Sequence, residues 1–224
     1  MALCLVVFAP VTWQVRVDGP LLTPDEVLSR AMVGRLPALV TEFLADLGNL
    51  EVALVVLVLA LAARWWVERR VTPLLYALLP VTCVPLLVAP LKAWTERPGP
   101  LDQGTGYYPS GHAATALVVY GVALLLLVPY VRWRRGSPLV LLAVVAVGNG
   151  IGLVSRGYHW PLDVLASWAL GGVLLLAIDY LGLLDAAYPA RSRRGDQGAS
   201  PTLNTGGPGR RSSADEPAED QQHQ

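Results

Sequence analysis

The sequence predicts an all-α protein, a polytopic transmembrane bundle of about six spans, and three observations carry that expectation. Hydrophobic residues make up 54% of the chain and charged residues 15%, where a soluble domain carries about a quarter charged. The apolar residues are gathered into runs near bilayer length, separated by short polar breaks. The main arginine clusters fall at alternate breaks, the pattern that fixes the orientation of successive spans.

The first apolar stretch, Met1 to about Trp13, contains Pro10 and lacks the basic leading segment of a signal peptide. It reads as a short first helix. Residues 14–48 are mixed. Asp18-Gly19-Pro20 and Thr23-Pro24-Asp25-Glu26 supply turn and helix-start signals. Leu36, Leu39, Val40, Phe43 and Leu47 then recur at helical spacing, predicting a short amphipathic helix at the interface. Four clearer spans follow, at Leu50–Trp66, Val71–Pro90, His112–Tyr130 and Pro138–Val154, and a last one at Leu162–Leu184. From Ala190 the chain turns to Gly, Ser, Pro and Arg and then acidic, a composition too polar to bury a core. The expected division is therefore residues 1–48 as first span and interfacial region, 49–188 as transmembrane core, and 189–224 as a disordered cytoplasmic tail.

Arg64, Arg69 and Arg70, then Arg132, Arg134 and Arg135, then Arg191, Arg193 and Arg194, all fall on one side when six spans are counted. The positive-inside rule makes that side cytoplasmic and puts residues 92–111 and 155–161 outside. Trp13, Trp65, Trp66, Trp94, Trp133 and Trp160 lie near span ends, as an interfacial aromatic belt does. Sixteen arginines against one lysine suit a high-GC bacterial source, and so an inner cell membrane. Zero net charge gives no electrostatic basis for a nucleic-acid partner. Cys4 and Cys83 sit inside apolar runs and read as small packing residues, with no disulfide or metal site.

Three segments on the outer side hold most of the unusual polar residues: Lys92-Ala-Trp-Thr-Glu-Arg97-Pro98, Pro109-Ser110-Gly111-His112, and Ser155-Arg156-Gly-Tyr-His159-Trp-Pro-Leu-Asp163. His159 and Asp163 are four apart and share a helical face. A carboxylate there can hold the imidazole Nδ1 and leave Nε2 free as a nucleophile. Ser110 is a good helix cap and Gly111 permits close approach to the backbone, so the following helix start is a ready anion site. His112, in its first turn, is placed to donate a proton to a leaving oxygen. Lys92, Arg97 and Arg156 add positive charge. Taken singly, each feature is equally an ordinary capped helix, a local contact or an interfacial cation. Their conjunction at one membrane face describes a phosphate site with a nucleophile and an acid.

In the order Lys…Arg-Pro, Pro-Ser-Gly-His and Ser-Arg…His-x-x-x-Asp, over about residues 45–185, the chain resembles the type 2 phosphatidic acid phosphatase family, relatives of the vanadium haloperoxidases. Pro-Ser-Gly-His and His-x-x-x-Asp match in full. The family has six residues between the lysine and Arg-Pro, where this chain has four and carries Gly99-Pro100 at the six-residue spacing. It has five residues between the arginine and histidine of the third motif, where Gly157 and Tyr158 alone intervene. Bringing Arg156 into the site requires the end of the fifth span to shorten or rewind. The resemblance implies that His159 attacks phosphorus to form a phosphohistidine, with Asp163 steadying the imidazolium and His112 serving as acid and then base. It implies that Lys92, Arg97, Ser110, Gly111 and Arg156 hold the phosphoryl oxygens, with no metal and no cofactor. The implied partner is a lipid phosphate reached from the membrane, with a polyprenyl diphosphate ranked narrowly ahead of phosphatidylglycerophosphate or phosphatidate. A lipid phosphotransferase and a catalytically degenerate lipid-phosphate binder are the competing readings. Nothing in the residues speaks to oligomeric state.

Overall fold

In a medium without water each backbone N–H and C=O must find its partner within the chain, and helices meet that demand segment by segment. The computed structural model describes residues 1–101, 104–130 and 136–180, and there the chain is helical, without strands. In chain order the helices are α1 (Ala2–Arg16), α2 (Leu22–Met32), α3 (Ala38–Asp46), α4 (Leu50–Glu68), α5 (Thr72–Thr95), α6 (Gly111–Leu127), α7 (Ser137–Ser155) and α8 (Pro161–Tyr180). A 3-10 turn, Val128–Tyr130, prolongs α6. Helices α4 to α8 are long and apolar enough to cross a bilayer. At 1.5 Å per residue, the 19 residues of α4 span about 28 Å, close to the ~30 Å hydrocarbon thickness. The 15 residues of α1 fall short of that length, so the described residues hold five full spans and a shorter first helix. The tail, the arginines at 132, 134, 135, 191, 193 and 194, Trp133 and the end of the last span lie outside the described residues.

Half of the apolar stretch of α6 is buried, against 22% for α4 and α5, which marks α6 as the helix around which the others pack. It touches α4, α5, α7 and α8. Its buried positions include Ala113, Ala114, Ala116, Gly121 and Ala123; small side chains let helices approach when lipid removes the hydrophobic drive between them. The main apolar cluster joins Ala53, Leu57 and Ala60 of α4, Ala77, Val84 and Val88 of α5, and Val118, Val119 and Val122 of α6. Outward positions such as Leu59, Leu75, Leu86, Leu139 and Val144 are exposed and apolar, the surface a bilayer covers. Three prolines inside α5, Pro80, Pro85 and Pro90, each delete one backbone donor. Helices α4 and α5 touch little along their length, and a groove remains between them.

Residues 14–48, expected to hold one short amphipathic helix, hold two after the end of α1. Helix α2 packs on α7 and α8, and α3 lies along α7. Asn149, fully buried on α7, donates from Nδ2 to the carbonyls of Leu44 (3.0 Å) and Ala45 (2.9 Å) near the end of α3. Gly48 follows, and a Cβ there would stand 2.6 Å from the His112 carbonyl oxygen, so only glycine allows the end of α3 to press against the start of α6. Asn149 thus fixes the strap that walls the polar end of the bundle. Buried interhelical hydrogen bonds of this kind contribute on the order of 1 kcal/mol each. Asn149→Ala is expected to lower the thermal unfolding midpoint in detergent and to speed hydrogen exchange of the α3 amides. An unchanged midpoint with unchanged exchange would remove that anchoring role.

Candidate active site

The N-terminus of α6 forms because Ser110, in an extended conformation, turns its Oγ onto the N–H of Ala113 (3.2 Å). That is an ordinary serine cap, and it leaves the first-turn N–H groups of Gly111 and His112 without intrahelical acceptors. Ser110 is itself tied to α8. Its N–H donates to the Asp163 carbonyl (3.2 Å), and its carbonyl accepts from Ser167 Oγ (2.8 Å). The preceding Tyr108 is buried, with its hydroxyl 2.6 Å from Thr12 Oγ1 of α1. Burial pushes that phenol up to about 12, so it acts as a neutral hydrogen-bonding partner. Helices α1, α6 and α8 are therefore joined through one short loop.

The start of α8 is built around Asp163. Pro161 begins the helix, where its missing N–H costs nothing. The fully buried Asp163 carboxylate accepts from Trp160 N–H at Oδ2 (3.0 Å), and His159 Nδ1 lies 3.3 Å from the same oxygen. With the proton on Nδ1, the lone pair of His159 sits on Nε2. His159 is buried, and Tyr107 meets its ring edge-on with centroids 5.7 Å apart.

A cavity of about 480 Å³ opens on these groups. His159, His112, Lys92, Gly111 and Tyr107 line it, and the two imidazole centroids are 6.4 Å apart. Lys92 Nζ donates to the Gly106 carbonyl (2.7 Å), which holds the ammonium at the cavity wall. A Cβ built on Gly111 would meet nothing within 4 Å, so the space in front of the helix start is open. Among the described residues no three His, Cys, Asp or Glu side chains gather as a metal-binding set. The arrangement offers an anion a helix terminus, one ammonium and two imidazoles, the equipment for displacement at phosphorus.

Of the eight residues singled out from the sequence, five stand at the cavity or directly behind it through the capped helix: Lys92, Ser110, Gly111, His112 and His159. Asp163 lies behind His159. The two arginines stand elsewhere, and the altered motif spacings account for it. Helix α5 ends with Glu96 in the left-handed conformation (φ 48°). The turn sends Arg97 away from the cavity into a buried ion pair with Asp163 (Nη1–Oδ1, 2.6 Å) and Asp25 (Nη2–Oδ2, 2.5 Å). Helix α7 runs to Ser155 without shortening or rewinding, and Arg156 leaves it toward α3, where its Nε meets Glu42 at 2.6 Å. Neither guanidinium lines the cavity.

Sequence reasoning missed Asp25, Tyr107 and Gly48. Asp25 looks like a routine acidic residue in the first turn of a helix, and nothing local marks it as a partner of residues 72 and 137 positions away. Tyr107 and Gly48 act through shape, which only the packing discloses.

Residues 85–182, from the middle of α5 through α8, match the sequence model of the PAP2 superfamily. Phosphatidylglycerophosphatase B of Bacillus subtilis (strain 168) is 29% identical over 164 residues, which span 69% of this chain and 81% of that protein. Undecaprenyl-diphosphatase of Sulfolobus acidocaldarius is 40% identical over 75 residues, 34% of this chain and 32% of that one. A crystal structure of a transmembrane PAP2-type phosphatidylglycerolphosphate phosphatase from Bacillus subtilis superposes with a TM-score of 0.72 at 25% identity, covering 85% of this chain and 98% of the other. The sequence match falls on helices that wall the cavity and the fold match extends over 85% of the chain, so the likeness to the PAP2 superfamily includes the region that builds the site.

Proposed function

We propose that the protein is a lipid phosphatase that works at the outer face of the membrane through a phosphohistidine on His159. The observation that carries this reading is the meeting of two imidazoles with the chain's one lysine on a single cavity at the mouth of the bundle. His159 Nε2 attacks phosphorus, the bond to the lipid oxygen breaks, and protonated His112 gives its proton to that oxygen. Water then attacks the phosphohistidine while His112 takes a proton, and the N–P bond breaks to free inorganic phosphate. Asp163 steadies the imidazolium formed in between. Lys92 and the α6 terminus, capped by Ser110 and open at Gly111, hold the phosphoryl oxygens. Fixed charges and dipoles of this kind are what phosphoryl transfer chiefly requires.

A second cavity of about 490 Å³ supports the lipid part of the reading. It runs between α4 and α5 along Leu54, Val81, Val84, Pro85 and Val88, and shares Leu50, Lys92, Gly111 and Thr115 with the polar cavity. A hydrocarbon tail fits the apolar groove while its phosphate enters above. Among the described residues the wall carries one ammonium and no guanidinium, which suits a single phosphate group better than a diphosphate, and the relative matched over most of its length is a phosphatidylglycerophosphatase. We therefore rank a glycerophospholipid monophosphate first and a polyprenyl diphosphate second. Arg64, Arg69 and Arg70 support the outward orientation. They lie at the end of α4 and just beyond it, whereas Leu50, which begins that helix, lines the cavity.

Purified protein in detergent is expected to release inorganic phosphate from phosphatidylglycerophosphate in the presence of a chelator, with no change on adding an alcohol acceptor. His159→Ala should insert and fold yet reduce release to background; retained turnover in that variant would remove the mechanism. Gly111→Ala puts a methyl group into open space, so we expect normal folding with KM raised about tenfold, equivalent to ~1.4 kcal/mol of binding. An unaltered KM would mean that the phosphate sits elsewhere. In intact cells, Thr105→Cys should react with a membrane-impermeant thiol reagent and Arg69→Cys should not; the reverse pattern would turn the site inward.

A further inference from the structure

Arg97 forks between two carboxylates, and the fork has a consequence for the nucleophile. Its Nη1 holds Asp163 Oδ1 at 2.6 Å and its Nη2 holds Asp25 Oδ2 at 2.5 Å, with all three side chains buried. The guanidinium carbon lies 5.4 Å from the Trp160 ring centroid, which closes another side. Asp25 Oδ1 accepts from the Leu162 N–H (2.8 Å), so α2 is pinned to the first turn of α8, the helix that carries Asp163. Asp163 Oδ2 is left to Trp160 N–H and His159.

Arginine tends to grip a single carboxylate with both arms. Were Nη2 not held by Asp25, Arg97 could take both oxygens of Asp163 and draw Oδ2 away from the imidazole. The charges point the same way. An Arg97–Asp163 pair alone is neutral, whereas two ionised carboxylates around one guanidinium leave one negative charge for an imidazolium to meet. We infer that Asp25 and Arg97 are positioning residues, through which α2 holds the Asp163 carboxylate available to His159, and that Arg97 does not bind the substrate phosphate. The inference rests on the phosphohistidine reading above and extends it to a helix outside the three motifs.

Kinetics separate the two roles. If Arg97 orients Asp163, Arg97→Gln lowers kcat by about ten- to a hundredfold, the range found for outer-shell partners of metal-bound histidines, and leaves KM and the inhibition constant of inorganic phosphate unchanged. Asp25→Asn behaves in the same way. The double variant is no worse than Arg97→Gln alone, because Asp25 acts through Arg97. A raised inhibition constant for phosphate in Arg97→Gln, additive losses in the double variant, or wild-type kcat in Asp25→Asn would each overturn the inference. Phosphate release by the wild-type protein, and its loss in His159→Ala, test the underlying reading separately.

Folding of Asp25→Asn is expected and can be checked by its pH dependence. Burial, the leading cause, holds the Asp25 carboxyl above its ordinary 3.8 despite Arg97, while the neighbouring Asp163 adds to the rise. Below pH 3.8 this carboxyl is protonated in folded and unfolded chains alike. As the pH climbs toward the raised folded value the unfolded chain ionises first, so wild-type stability falls relative to Asp25→Asn. The unfolding midpoint of the variant, compared with wild type, should therefore improve between pH 3.5 and 7. Asp25→Glu supplies a second variant that keeps the charge, and it should retain more kcat than Asp25→Asn with the same phosphate inhibition constant.

Discussion

The Asp163 side chain and its own backbone carbonyl are the point on which the polar end of the bundle is assembled. The carboxylate accepts from Trp160 N–H, faces His159 Nδ1 and pairs with Arg97. The carbonyl accepts from the Ser110 N–H and from Ser167 Oγ. One residue at the start of α8 therefore joins the loop before α6, the end of α5, and, through Arg97, helix α2. A carboxylate with no exposed surface is strongly disfavoured unless its lone pairs are satisfied and its charge is met. Those requirements specify what must surround Asp163, and of the groups that meet them His159 faces the cavity while Arg97 and Trp160 N–H stand behind it.

The rest of the bundle is ordered by the opposite constraint. Along the spans the side chains are almost all apolar, and the main exception, Arg64, lies near the far end, where it pairs with Glu68 (2.9 Å) and donates to the Leu126 carbonyl (3.3 Å). Chemistry that needs ammonium, imidazole and carboxylate together has only the mouth of the bundle in which to collect them. The groove between α4 and α5 then gives the mouth an apolar continuation into the membrane. Lys92 and Gly111 line both the polar cavity and the apolar groove, where the phosphate and the hydrocarbon tail of the proposed substrate would meet.

The long apolar spans were legible in the sequence because the signal there is length and hydropathy, which depend on no distant residue, whereas the second short helix before Leu50 was not. The expected start at Leu50 and the structural start coincide, and the span expected from His112 begins at Gly111. The pairing of His159 with Asp163 was legible for a related reason: residues four apart on a helix share a face whatever surrounds them. Arg97 and Arg156 show where this local logic stops. Each lies in a motif, but the direction of its side chain depends on where a helix ends. That end depends on a left-handed Glu96 in one case and on an uninterrupted α7 in the other. Asp25 was hidden altogether, since its partners, Arg97 and Leu162, come from parts of the chain that only the tertiary fold brings to it.

The placement of the cations carries a further physical point. A guanidinium on the cavity wall would attract phosphate in the ground state as well as in the transition state, and uniform attraction of that kind accelerates nothing once substrate is bound. A guanidinium set behind the nucleophile's carboxylate acts on the attacking group instead. In the proposed mechanism its effect comes when the His159 imidazole gains positive charge, through the Asp163 oxygen it leaves free. Among the described residues Lys92 is the one cation on the cavity wall, while Arg97 is committed behind Asp163 and Arg156 to Glu42. Such a division suits the proposed lipid phosphatase, whose substrate would already be concentrated in the bilayer. Binding strength is then less needed at the headgroup, and the buried charge is better used to keep the nucleophile aligned.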